Sequence, residues 1–250
     1  MHRGPHTHLP VQHRPVPPCT TSFPAAGTEP WRGQLVATAL DRVLNLVPAY
    51  ATRFLSVVRP SLSHMISEHL RHYLQQSRDG LLRSLDGASE YDVRRPMTPT
   101  ATNLLGLVKH LAGLEFGYLG DCVGRPAPVP LPWTDETIWD NVDMFATADE
   151  SREYIVGLYR RAWQHADESI VTLGLDAPAT VPWWPEERRS TTLGHLLIRM
   201  VAETAQHAGH ADIIRETLDG QAGRDHQATG DASWWDMHVT RVTEAANRHR

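Results

Sequence analysis

The spacing of apolar residues divides the chain. Across residues 1–30 they show no period, and Pro10, Pro15, Pro17, Pro18 and Pro24 break any stretch that might nucleate a helix. This segment reads as a disordered extension rich in proline and histidine. From Trp31 to Arg59, Leu35, Ala39, Val43, Leu46 and Val47 recur at helical intervals, but Pro48 interrupts the run and Pro60 closes it. Residues 31–65 are therefore a helical extension whose place in the fold the pattern leaves open.

Four longer periodic stretches follow. Leu70, Tyr73, Leu74, Leu81, Leu82 and Leu85 predict a helix from about Ser67 that stops at Gly87. Leu104, Leu107, Val108, Leu111, Leu114, Tyr118 and Leu119 predict a second, capped by Thr100 or Thr102 and ending near Gly124. After a loop through Pro126, Pro128, Pro130 and Pro132, a third runs from about Asp149 to Leu173, and Gly174 stops it. Trp183, Trp184 and Pro185 mark a turn or hairpin-like loop. Thr191 or Thr192 then opens a fourth helix that reaches Leu218 and ends at Gly220. Four long helices with little strand signal predict an all-α four-helix bundle over residues 66–220, followed by a tail, 221–250, that packs back or stays loose.

The fourth helix departs from a plain core pattern. Its stripe of Leu196, Met200, Glu203, His207, Ala211, Ile214 and Leu218 is apolar except at Glu203 and His207. A carboxylate on a core-facing stripe is costly unless it is paired or coordinated. Residues four apart project side by side, so Glu203 and His207 can occupy neighbouring corners of one metal coordination sphere. His110, beside Leu107 and Leu111 in the second helix, is the candidate third ligand. Taken alone, His110 suits a hydrogen bond to a backbone carbonyl better than ligation, and it is the Glu203–His207 pair that favours the metal. Gly106, Gly113 and Gly117 lie along its side, where small residues let another helix or a substrate approach. His210 can be a fourth ligand, a group bonded to a ligand, or a surface histidine. His165 and His195 suit solvent or capping positions, and Glu115 suits a salt bridge better than metal ligation.

Charge and composition narrow the function. The 29 acidic and 24 basic residues are spread along the chain, giving −5, with no Lys/Arg block to track a phosphate backbone; nucleic acid is not expected as a partner. Cys19 and Cys122 form neither a disulfide framework nor a cysteine-based zinc site, which suits a reducing cytoplasm. No signal peptide and no run of about 20 apolar residues is present, so neither secretion nor a membrane span is expected.

Two blocks carry a resemblance. Ser89-Glu90-Tyr91-Asp92-Val93-Arg94-Arg95-Pro96, with Asn103 to Ala112, and Glu203-Thr204-Ala205-Gln206-His207-Ala208-Gly209-His210 through Glu216, resemble the DinB-like superfamily, specifically its mycothiol-transferase-type members. The resemblance implies a four-helix bundle holding a divalent metal, zinc or nickel, through His110, Glu203 and His207. Many superfamily members have histidine where this chain has Glu203; the glutamate is similar to mycothiol-dependent maleylpyruvate isomerase and points to the thiol-using branch. The implied activity is a metal-dependent S-transferase, or thiol-dependent isomerase, using mycothiol or a similar thiol on a small electrophile. The alternatives are a hydrolase whose nucleophile is bound water and a metal-binding bundle without turnover. A homodimer is implied by analogy, and Met65, just before the matching region, is a candidate start. The substrate pocket is expected from the Pro-rich loop, the Trp183-Trp184 segment and the tail.

Overall fold

The computed structural model describes residues 62–133, 138, 140–220 and 230–250. The expectations for residues 1–61, including disorder of the first thirty, lie outside the described residues, as does the start of the tail at 221–229. The described chain is predominantly helical: α1 (Leu62–Arg83), α2 (Glu90–Arg94), α3 (Leu104–Leu119), α4 (Arg152–Leu173), α5 (Leu193–Asp219) and α6 (Ala232–Asn247). Strands β1 (Pro178–Thr180) and β2 (Ser190–Thr192) pair antiparallel, Ala179 opposite Thr191, so the Trp183-Trp184 segment is the loop of a short hairpin.

Local chemistry sets the helix ends. α1 starts five residues before the expected Ser67, because Leu62, Met65 and Ile66 are exposed and add nothing to an inward stripe. It ends at Arg83 rather than Gly87, whose φ of 70° serves the turn that follows. The cap of α3 is Asn103, not Thr100 or Thr102: its side chain accepts from the Gly106 N–H at 2.8 Å. α3 also stops early, at Leu119, and a 3₁₀ turn over Asp121–Val123 reaches the left-handed Gly124. Ser151 caps α4, Thr192 caps α5, and Gly220 closes α5 in the left-handed region that favours glycine.

α3 is the central element. It packs on α4 and α5, while α1 packs on α5. Leu107 and Leu111 of α3, Leu74 and Leu81 of α1, Ile155 and Leu158 of α4, and Leu196 and Met200 of α5 share one core. Most of α3 is buried, as its nearly continuous apolar sequence requires. α6 has no buried residue, so the distal tail is helical without contributing to that core. No described helix is long and apolar enough to cross a membrane.

Among the described residues, the core holds a fully buried ion pair. Arg78 of α1 and Glu115 of α3, both with fully buried side chains, meet in a fork: Nε donates to Oε1 at 2.8 Å and Nη2 to Oε2. Nη1 donates to Asp167 of α4 at 3.2 Å, so one guanidinium ties three helices. Burial opposes the Arg78 charge, but Glu115 outweighs it and the Arg78 pKa is raised. Glu115 is thus a salt-bridge partner, as expected. Replacing it by alanine should lower unfolding free energy by about 3–5 kcal/mol, since the Arg78 cation would stay buried without its main partner. Urea titration should show much of that loss recovered in an Arg78→Met, Glu115→Leu double variant; equal losses in both would assign the effect to packing instead of charge.

Candidate metal centre

α3 and α5 bring His110, Glu203 and His207 together, each offering one donor atom, all within 4.8 Å of one another. Nε2 of His207 lies 3.4 Å from Oε1 of Glu203, and Nε2 of His110 lies 4.0 Å from the same oxygen. Two N/O donors of a tetrahedral ion at about 2.0–2.2 Å sit roughly 3.2–3.6 Å apart. The first spacing already fits, and the second closes with a small side-chain shift. Two imidazoles and a carboxylate form a donor set suited to zinc or nickel. Side-chain exposures of 17%, 24% and 14% for His110, Glu203 and His207 leave the cluster mostly shielded but still in contact with solvent.

Imidazole ligation requires a neutral ring with the correct tautomer. Nδ1 of His110 lies 2.6 Å from Oδ2 of Asp143. A carboxylate can only accept, so Nδ1 carries a hydrogen and Nε2 is the nitrogen left facing Glu203, the one a metal would take. Burial first, then the neighbouring His110, lowers the His207 pKa, which keeps that ring neutral near pH 7 despite the opposing pull of Glu203. Nδ1 of exposed His210 lies 3.4 Å from Nδ1 of His207, on the ring edge away from Glu203's contact. His210 therefore adjoins a candidate ligand and is not in the three-donor cluster.

Asp143 went unpredicted because it lies in a loop without periodicity. Its placement depends on α3. Lys109, almost fully buried, donates to the carbonyls of Val142 at 2.9 Å and Phe145 at 3.0 Å and to Glu150 at 2.9 Å. Asn103 Nδ2 donates to the Met144 carbonyl at 3.3 Å. A Cβ on Gly106 would overlap that same carbonyl, so only glycine lets the loop lie against the helix here. The three glycines thus admit a loop and two indoles, not a helix: Gly113 faces Trp133 Nε1 and Gly117 faces Trp183. A lysine next to His110 in an otherwise apolar helix was the available sequence signal, since a buried ammonium must find acceptors.

The other candidates separate from the centre. His165, expected in a solvent or capping position, is half-buried, and its Nε2 donates to the Arg125 carbonyl at 2.8 Å because the loop after α3 folds back over α4. His195 is exposed, with Nδ1 2.6 Å from the Thr191 hydroxyl. Cys122 is buried, and burial raises its thiol pKa to about 12, which leaves it unreactive.

Asp143→Asn and Gly106→Ala should each weaken zinc binding by roughly 10–100-fold, the first by releasing the His110 tautomer and the second by displacing the loop. Competition against a chromogenic chelator measures this; unchanged affinity with unchanged helical content would remove Asp143 from the support of the centre.

No curated protein matches the chain. The sequence profile described as mycothiol-S-transferase matches residues 69–220, which span all three donors and α1 to α5 apart from the first turns of α1. The chain belongs to the mycothiol-S-transferase family.

Proposed function

We propose that this protein is a metal-dependent S-transferase, or a thiol-dependent isomerase, that joins a low-molecular-weight thiol of the mycothiol type to a small electrophile. The observation that carries the reading is the convergence of His110, Glu203 and His207 from two helices, each partly buried, within a chain of the mycothiol-S-transferase family. Zinc or nickel suits these donors. A divalent ion bound there would act as a Lewis acid, lowering the pKa of a thiol so that thiolate is available at neutral pH.

The protein's own contribution is to hold and tune. His110 and His207 supply ring nitrogens, the first oriented by Asp143 and the second kept unprotonated by burial. Glu203 offsets one unit of positive charge and leaves enough for attraction of a thiolate. The walls of α3 and α5 limit water around the donors, which strengthens every charge interaction between them. A reducing cytoplasm, where a small thiol stays reduced, is the compartment this chemistry requires.

Purified wild-type protein should retain about one equivalent of metal after dialysis, whereas His110→Ala and His207→Ala should retain little. In the cobalt-substituted protein, titration with mycothiol should produce an intense thiolate-to-metal absorption band. Thiol consumption that is undiminished in the His207→Ala variant would rule this function out.

A further inference from the structure

On α5, His195, Arg199, Glu203 and His207 follow one another at four-residue intervals, so Arg199 sits one turn from the metal centre on the same stripe. Its guanidinium carbon lies 4.9 Å from the Tyr118 ring centroid and 5.8 Å from that of Trp184. The Trp183 Nε1–H donates to the Tyr118 hydroxyl at 3.2 Å, and Tyr118 packs edge-on to Trp183 at 5.4 Å. Trp183 in turn reaches Gly117, two turns along α3 from His110. An aromatic wall therefore runs from the hairpin loop toward the three donors, with Arg199 beside it.

Arg199 lacks what a guanidinium needs. Its Nε is shielded from solvent and has no hydrogen-bond partner. Among the described residues its nearest carboxylate oxygen is Oε2 of Glu203, 3.8 Å from Nη2, beyond hydrogen-bond range. The other oxygen of Glu203 faces the two imidazoles, so its charge is directed to the metal centre. The Arg199 side chain as a whole is 40% exposed, so a ligand has access to its terminal amino groups but not to Nε. A planar fork of N–H groups held against aromatic rings and short of acceptors matches a carboxylate, and the rings beside it match an apolar body.

We propose that Arg199, flanked by Tyr118, Trp183 and Trp184, binds the carboxylate of the electrophile and makes small apolar acids the substrate class of this centre. The assignment of that acid as electrophile rests on the S-transferase reading; the binding site itself does not.

The test separates the two. Zinc-loaded full-length protein is titrated calorimetrically with 3-phenylpropanoate and with 3-phenylpropanamide, which share a shape and differ in charge. Wild type should bind the acid at least about tenfold more tightly than the amide, the expected size for a charge-assisted hydrogen-bonded pair. Arg199→Gln should abolish that preference while zinc content and amide affinity stay unchanged. Equal wild-type affinities overturn the proposal. So does a preference that survives in Arg199→Gln, which would put the carboxylate on the metal, and so does loss of zinc from that variant, which would make Arg199 a positioning residue for Glu203. If the glutamine variant does not fold, Arg199→Lys reads the same quantity: a reduced preference is expected, and an undiminished one overturns the assignment. A missing cobalt–thiolate band alongside intact acid preference would remove the S-transferase reading and keep this site; the converse would keep the transferase and remove the acid.

Discussion

A carboxylate taken out of water needs a counter-charge, and the helices that build this core contain two carboxylates under that constraint. Glu115 is completely buried and meets Arg78 in a two-pronged ion pair, with Asp167 sharing the guanidinium. That pair fixes α1, α3 and α4 and leaves Glu115 no capacity for a ligand. Glu203 is treated differently. Its neighbours are two imidazoles and an arginine at 3.4–4.0 Å, none of them paired with it in a two-pronged fork as Arg78 is with Glu115. One carboxylate is satisfied internally; the other is partly exposed among imidazoles, with donor capacity remaining. This contrast, more than the presence of two histidines, distinguishes a structural polar cluster from a candidate metal centre.

α3 links the two arrangements. Its outer turns hold Glu115 in the core and its first half carries the supports of His110. Gly106 admits the Met144 carbonyl, Lys109 gathers three acceptors from the loop and the start of α4, and His110 then finds Asp143 at its Nδ1. Consecutive features of one helix thus convert an irregular loop into a fixed hydrogen-bond acceptor. The buried lysine bonds add rigidity where a loose loop would let the imidazole rotate.

The sequence was most legible where a rule has a period. The four long helices, the stops at Gly174 and Gly220 and the apolar stripe interrupted at Glu203 and His207 all follow from 3.6-residue spacing and left-handed glycines. The start of α1 lies earlier than the pattern indicates because its first turns are solvent-facing, and the cap of α3 is not a threonine but Asn103, a residue type that ranks above threonine at this position. His110 was legible from its apolar neighbours, but Asp143 was not: thirty-three residues separate them, and no local pattern signals a contact made through a loop. Arg78 was missed for the same reason as a partner of Glu115. Arg199 lies on the very stripe that revealed Glu203, yet an arginine one turn earlier reads as an ordinary i,i+4 ion pair until the flanking aromatic rings are seen in space.

The glutamate at 203 also has a geometric consequence that a histidine there would lack. An imidazole offers one nitrogen to a metal and no charge. Glu203 turns Oε1 toward His110 and His207 and Oε2 toward Arg199, so its two oxygens face two different binding regions. On the proposed reading, the ion with Glu203 retains one net positive charge and Arg199 carries another. A thiolate and a carboxylate can then lie side by side, each against its own cation, and their mutual repulsion is offset by charges the fold has already fixed in place. A three-histidine centre without the arginine would hold the thiolate as well, but it would draw a second anion to the metal itself, in competition with the thiol. On that reading, Glu203 and Arg199 would separate the two ligands by one turn of α5, close enough to meet without competing for the same cation.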